Sequence, residues 1–306
     1  MSIALISHPD CLLHNMGDNH PEQAERLRVI DEELKKSNFN AELKPYDAPL
    51  VTKEHLLRVH SKKHIDALFQ ASPEHEGIIT FAPDLYMNRY TLKAALHAAG
   101  AGILAVDLVM NGDVNQAFCN VRPPGHHAEH EQAMGFCFFN NIAVAAAYAL
   151  DQYKLERVAI IDFDVHHGNG SEDIFQNDPR VLFCSSFEHP FYPFSGADTK
   201  NPHIINIPLP AGTAKDSFRE MTSLLWFDRI RAFKPEMLFF SAGFDAYIDD
   251  DIADFLLEED DFFWITDQIK KIADNSCQGR VVSILEGGYS LEGLGKCVAA
   301  HLKALI

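Results

Sequence analysis

Cationic side chains are scarce in this 306-residue chain: 26 Lys and Arg stand against 44 Asp and Glu, a formal net charge of −18. A field of that sign repels nucleic acid and anionic membrane, and no Lys/Arg stripe offsets it, so neither is expected as a direct partner. It favours cationic ligands such as polyamines and lysine-rich peptides, and it also keeps a protein soluble. Cysteine is sparse as well. The six cysteines form no Cys-x-x-Cys pair, and Cys119, Cys137 and Cys184 sit in or beside apolar runs. Reduced, buried thiols are expected, and a disulfide framework is not. No apolar run approaches the roughly 20 residues of a bilayer span. The opening Met1–Ser7 lacks a basic stretch and reads as a strand, which argues against a secretory signal and for a cytoplasmic address. Repeats and linker-like stretches are missing too, so a single domain over residues 1–306 is expected.

What the chain does contain is alternation. Apolar, β-branched runs at Ile3–Ser7, Gln116–Asn120, Val158–Asp164, Val181–Ser186, His203–Ile207, Met237–Ala242 and Val281–Leu285 read as strands. Several are apolar on both faces, as in a parallel sheet covered on each side. Helical patterns lie between them at Pro21–Ser37, Tyr90–Met110, Asn140–Gln152, Ala214–Phe233, Asp260–Asn275 and Leu291–Leu305. The pattern predicts an α/β fold. Ligand sites in such folds lie at the carboxyl ends of strands, so site residues should fall just after strands.

Four segments meet that condition. Ile160-Ile161-Asp162-Phe163-Asp164-Val165-His166-His167-Gly168-Asn169-Gly170 begins as a strand and ends in a glycine-punctuated turn. Strand alternation points Asp162, Asp164 and His166 the same way. Two carboxylates and an imidazole are costly to bury together without a cation, and these donors suit a divalent metal such as zinc. In Val121-Arg122-Pro123-Pro124-Gly125-His126-His127-Ala128, the paired histidines are metal ligands, a catalytic pair or surface residues. Leu238 to Ala246 runs from an apolar strand through Gly243 to Asp245, which can complete an Asp–His–Asp ligand set with one position open. In Glu286-Gly287-Gly288-Tyr289-Ser290 the glycines project Tyr289 toward the same rim, either to pack there or to donate to an oxyanion. The aromatic stretch Met134 to Asn141 reads as core packing.

Taken in order, RPPGHHA, GFCFFNN, DFDVHHGNG, AGFDA and EGGYS, with His20-Pro21-Glu22 through Arg26-Leu27 near the N-terminus, resemble the histone deacetylase superfamily. The similarity is strongest to its class II members and to the bacterial deacetylase-like and acetylpolyamine amidohydrolases. The resemblance implies an arginase/deacetylase-like three-layer sandwich around a largely parallel eight-stranded sheet. It implies zinc on Asp164, His166 and Asp245, with ferrous iron as the alternative occupant. His127 matches the general base, and His126, bonded to Asp162, the electrostatic histidine. Tyr289 matches the phenol that polarises the carbonyl. Gly135, Phe136, Tyr192 and Gly288 match the acyl-lysine tunnel, and Arg26 an acetate-release channel. Asp162, Asp164, His166, Ser185 and Ser186 match a structural potassium site.

Three positions depart from the pattern or require a choice. Asn169 stands behind His127 where class I enzymes carry Asp, and a neutral partner orients an imidazole without raising its pKa. Tyr192 replaces a tunnel Phe. Ile252 falls where polyamine-selective relatives carry an acid, while Asp249, Asp250 and Asp251 beside it either favour cationic substrates or form a solvated loop. The expected partner is an acylated lysine in a protein or peptide, the alternative an acylated small amine. The short loops suggest a compact, stand-alone prokaryotic enzyme. A two-manganese ureohydrolase would need further bridging Asp/His ligands, and the GHH and GGY segments do not fit it. A catalytically silent acyl-lysine binding module would lack a ligand, base or phenol that is present here.

Overall fold

The computed structural model describes residues 2–306, so Met1 lies outside the described residues. Its strands are β1 (Ile3–Ser7), β2 (Leu43–Asp47), β3 (Ile79–Ala82), β4 (Leu85–Met87), β5 (Gln116–Cys119), β6 (Val158–Asp162), β7 (Val181–Glu188), β8 (Ile204–Leu209), β9 (Met237–Ala242) and β10 (Val281–Leu285). Eight of them form one sheet in the order β2-β1-β5-β10-β9-β6-β7-β8. Every neighbouring pair in it is parallel. β3 and β4 make a separate antiparallel hairpin.

The helices are α1 (Glu25–Lys36), α2 (Lys53–Leu56), α3 (Lys62–Ala71), α4 (Thr91–Met110), α5 (Asn141–Gln152), α6 (Asn169–Phe175), α7 (Lys215–Thr222), α8 (Asp228–Phe233), α9 (Glu259–Ser276) and α10 (Leu294–Leu305). They cover both faces of the sheet, as two adjacent residues of β10 show. Ser283 Oγ lies 2.8 Å from His301 of α10, whereas Ile284 packs toward Gly102 of α4. Successive strand side chains point to opposite faces, so α10 and α4 are on opposite sides. β6, β7, β9 and β10 are buried along their whole length, which explains their mainly apolar sequence.

All seven expected strands are present, and the structure adds an eighth to the sheet. β2 carries Pro45 and is half exposed, so it shows neither an apolar run nor clean alternation. As an edge strand it tolerates a proline. The helix expected over 214–233 is α7 and α8 joined by a π-helical turn at Ser223–Phe227. α4 corrects the expectation about apolar runs. By length and composition it is able to cross a bilayer, yet it is mostly buried inside the fold.

Candidate functional site

Four adjacent central strands, β5, β10, β9 and β6, deliver the site at their carboxyl ends. β6 stops at Asp162, earlier than alternation suggested, and the chain then bends through Asp164 and His166. This bend separates Asp162 from the other two. His166 Nδ1 lies 3.0 Å from Asp164 Oδ1 and 3.1 Å from Asp245 Oδ2. Asp162 instead accepts from His126 Nδ1 at 2.9 Å.

Asp164 and Asp245 are fully buried, and among the described residues neither pairs with a Lys or Arg. Backbone groups fix the orientation of both. Gly287 N–H donates to Asp164 Oδ2 at 2.8 Å and Val165 N–H to Asp245 Oδ1 at 2.9 Å. The glycines at these strand ends are sterically required. A Cβ on Gly243 would sit 1.9 Å from Asp164 Oδ2, and one on Gly287 would sit 2.1 Å from Asp245 Oδ2. Ligand-type atoms of Asp164, His166 and Asp245 all lie within 4.8 Å of one another. Two buried carboxylates and one imidazole, with no lysine or arginine beside them, fit a divalent metal held by three protein ligands.

The two histidines after β5 have opposite electrostatics. Burial disfavours a charge on His126, but the carboxylates of Asp162 and Asp164 outweigh it and hold its pKa well above the ordinary imidazole value. His127 is lowered well below that value by burial, with the neighbouring His126 and His166 adding to the effect. Its Nδ1–H donates to Asn169 Oδ1 at 2.7 Å, leaving Nε2 with a free lone pair. The loop carrying both rings is tied down by Glu286, whose Oε2 accepts the N–H groups of Gly125 at 2.6 Å and His126 at 3.0 Å. Burial raises the Glu286 carboxyl to about 7.

Tyr289 follows β10, and its backbone N–H donates to Asp250 Oδ2 at 2.6 Å. Asp250 is therefore buried structure, which settles one of the two readings of the 249–251 acids against a solvated loop at this position. Burial keeps the Tyr289 phenol well above its ordinary pKa, so the hydroxyl remains a donor. Arg26 lies beneath, its guanidinium 4.8 Å from the Tyr289 ring centre and bonded to the carbonyl oxygens of Gly288 and Glu286. Gly288 thus faces Arg26, and Gly287 is the glycine on the cavity wall.

The cavity over these groups holds about 200 Å³. Phe136, Tyr192, Pro124 and Ile252 form its sides, with His127 and His166 deeper in. Gly135 has φ +56°, and a Cβ there would meet the His127 ring at 2.3 Å. Asp84, which carries no sequence signal, accepts from Gly135 N–H at 2.8 Å and from the Tyr192 hydroxyl at 3.0 Å, joining two walls. Asp162 and Ser185 are paired across β6 and β7. Ser186 Oγ beside them is buried with no hydrogen-bond partner. A larger groove of about 430 Å³ beside Arg231, Lys234 and Lys271 has no acid, histidine or cysteine on its walls.

A second cluster, His8, Asp10 and His97, also brings ligand-type atoms together. Lys93 Nζ, however, sits 2.8 Å from Asp10 Oδ2. The two imidazoles stack at 3.5 Å and 9°, so no point lies in the plane of both rings, as shared coordination would need.

A family model described as a histone deacetylase domain matches residues 20–305. A type-2 histone deacetylase of Dictyostelium discoideum is 33% identical over 98% of this chain, which spans only 20% of that protein. A probable deacetylase of Archaeoglobus fulgidus is 35% identical over 96% of the chain and 83% of its own length. The crystal structure of the HDA15 HD domain superposes with a TM-score of 0.91 at 32% identity, covering 100% of this chain and 90% of the other.

Proposed function

The chain belongs to the histone deacetylase family, and from that premise we propose that it is a zinc-dependent amidohydrolase that removes acetyl or another acyl group from lysine side chains of proteins or peptides. The observation that carries this reading is one cavity lined by a neutral buried imidazole, a phenol and His166, which belongs to a cluster of three ligand-type donors with Asp164 and Asp245. When bound by Asp164, His166 and Asp245, zinc supplies Lewis acidity at the acyl carbonyl and acidifies water.

The chain's own residues account for the remaining steps. His127 Nε2 takes a proton from the attacking water and later gives one to the departing amine. The acyl C–N bond breaks, a C–O bond forms, and the products are a carboxylate and an ammonium. The Tyr289 hydroxyl donates to the oxygen on which negative charge develops. His126, kept cationic by Asp162, stabilises that charge from one side. Phe136 and Tyr192 wall the space that an aliphatic lysine stem would fill and exclude water from it. Arg26 holds the Gly288 turn that presents Tyr289.

Ile252 on the cavity wall favours lysine substrates over acylated polyamines, whereas the acidic surface suits both. Potassium on Asp162, Ser185 and Ser186, with backbone carbonyls, is part of the same proposal. A turnover panel crossing acyl type with amine type, run on zinc-reconstituted protein, tests the reading. Acetyl-lysine peptide should be hydrolysed and a chelator should stop it. No turnover anywhere in the panel would leave only a binding role.

A further inference from the structure

Asn169 raises a problem that its position behind the base does not solve by itself. The two ends of a carboxamide are nearly identical in shape, and only one of them orients His127 usefully. With the oxygen toward the ring, Nδ1 must carry the hydrogen and Nε2 keeps the lone pair a base needs. With the nitrogen toward the ring, Nδ1 becomes the acceptor, Nε2 carries the hydrogen, and the imidazole presents no basic atom to the cavity.

We propose that Glu129 is a positioning residue that selects the productive tautomer of His127 by fixing which way the Asn169 amide points. Asn169 Nδ2 donates to Glu129 Oε1 at 2.7 Å, while Asn169 Oδ1 accepts from His127 Nδ1 at 2.7 Å. A carboxylate only accepts, so the amide nitrogen must face Glu129 and its oxygen must face His127. The other neighbour of Nδ2 is Met134 Sδ at 3.4 Å, a weak acceptor that discriminates poorly.

Glu129 is itself anchored at both backbone groups. Its N–H donates to Gln132 O at 2.8 Å, and its carbonyl accepts from His60 Nδ1 at 2.9 Å. His60 Nε2 in turn accepts the Asn140 N–H at 2.9 Å, which ties the loop to the start of α5. The half-buried acid is thereby held at a fixed distance from Asn169. An Asp at position 169 would offer His127 an acceptor whichever oxygen faced the ring, so it would need no such selector, and it would meet Glu129 as a second carboxylate in place of a donor.

The inference rests on His127 being the base, and its test separates the two claims. Full-length zinc-loaded protein labelled with ¹⁵N-histidine reports the His127 tautomer directly. Wild type should show Nδ1–H alone. Glu129→Ala should show both tautomers, with kcat down about tenfold and KM and zinc content unchanged, the order expected for losing a hydrogen bond to a charged group. In an Asn169→Asp background, where either oxygen accepts from His127 Nδ1 and Glu129 faces a second carboxylate, the same substitution should leave the Nδ1–H tautomer in place and should not lower kcat. A single Nδ1–H tautomer in Glu129→Ala would overturn the inference, as would an equal loss of kcat in both backgrounds. A tautomer change without any loss of kcat would uphold Glu129 as selector and remove His127 as base.

Discussion

Two clusters of histidine and aspartate lie at the carboxyl edge of the same sheet, and they balance charge in different ways. At the end of β1, Asp10 meets the ammonium of Lys93 at 2.8 Å, and the stacked rings of His8 and His97 complete a group that is already compensated. At the ends of β6 and β9, Asp164 and Asp245 meet imidazoles and backbone N–H groups but no lysine or arginine, are wholly buried, and have glycines pressed against their oxygens. The residue types are nearly the same. Ligand-type spacing alone therefore does not distinguish a metal site. The distinguishing feature is buried negative charge for which the fold supplies no lysine or arginine.

The largest expected effect comes from breaking the uncompensated cluster. Asp245→Asn should take turnover to background and zinc well below one per chain, read by metal analysis of dialysed protein; full zinc occupancy in this variant would show that the ligand set is drawn wrongly. Next, Tyr289→Phe should cut kcat by about 10²–10³-fold, the scale of losing one oxyanion donor. Zinc content should not move, which separates the cluster's chemistry from its affinity; near-wild-type kcat would remove the phenol from the mechanism.

The smallest effect belongs to the compensated cluster. Lys93→Met should leave kcat and zinc stoichiometry alone and cost about 0.5–1 kcal/mol of stability at neutral pH, as a partly exposed ion pair does. Asp10 has its carboxyl pKa lowered chiefly by the Lys93 contact. A depressed carboxylate pKa stabilises above the unfolded value and loses that contribution as pH falls. The gap in denaturation midpoint between variant and wild type should therefore close on acidification from neutral pH. A second zinc bound in wild type would erase the contrast between the clusters.

The central strands and strand-end segments were legible because burial on both faces forces apolar runs, and because an acid or imidazole at the end of such a run is conspicuous. The candidates Asp164, His166, Asp245 and Tyr289 all lie on such segments. Asp162 was misplaced by the same rule, since alternation was carried two residues past the end of β6. Asp84, in the turn of the β3–β4 hairpin, and Glu129, in an irregular loop, carry no such signal because each acts on residues far away in sequence. No local pattern encodes such a contact. β2 was hidden by its edge position, where half-exposure and Pro45 blur every strand signal.

The position of β10 bears on how this protein comes into being. Among the described residues it is the last strand in sequence, yet it lies between β5 and β9 near the middle of the sheet. Without Val281–Leu285, β2-β1-β5 and β9-β6-β7-β8 share no strand pairing, because β5 and β9 each pair with β10 and not with each other. Closure then depends on contacts far apart in sequence, which slows folding and leaves apolar strand edges open to aggregation in the meantime. Loss of the segment from Val281 onward would thus remove the join between the halves together with Tyr289, which follows the same strand.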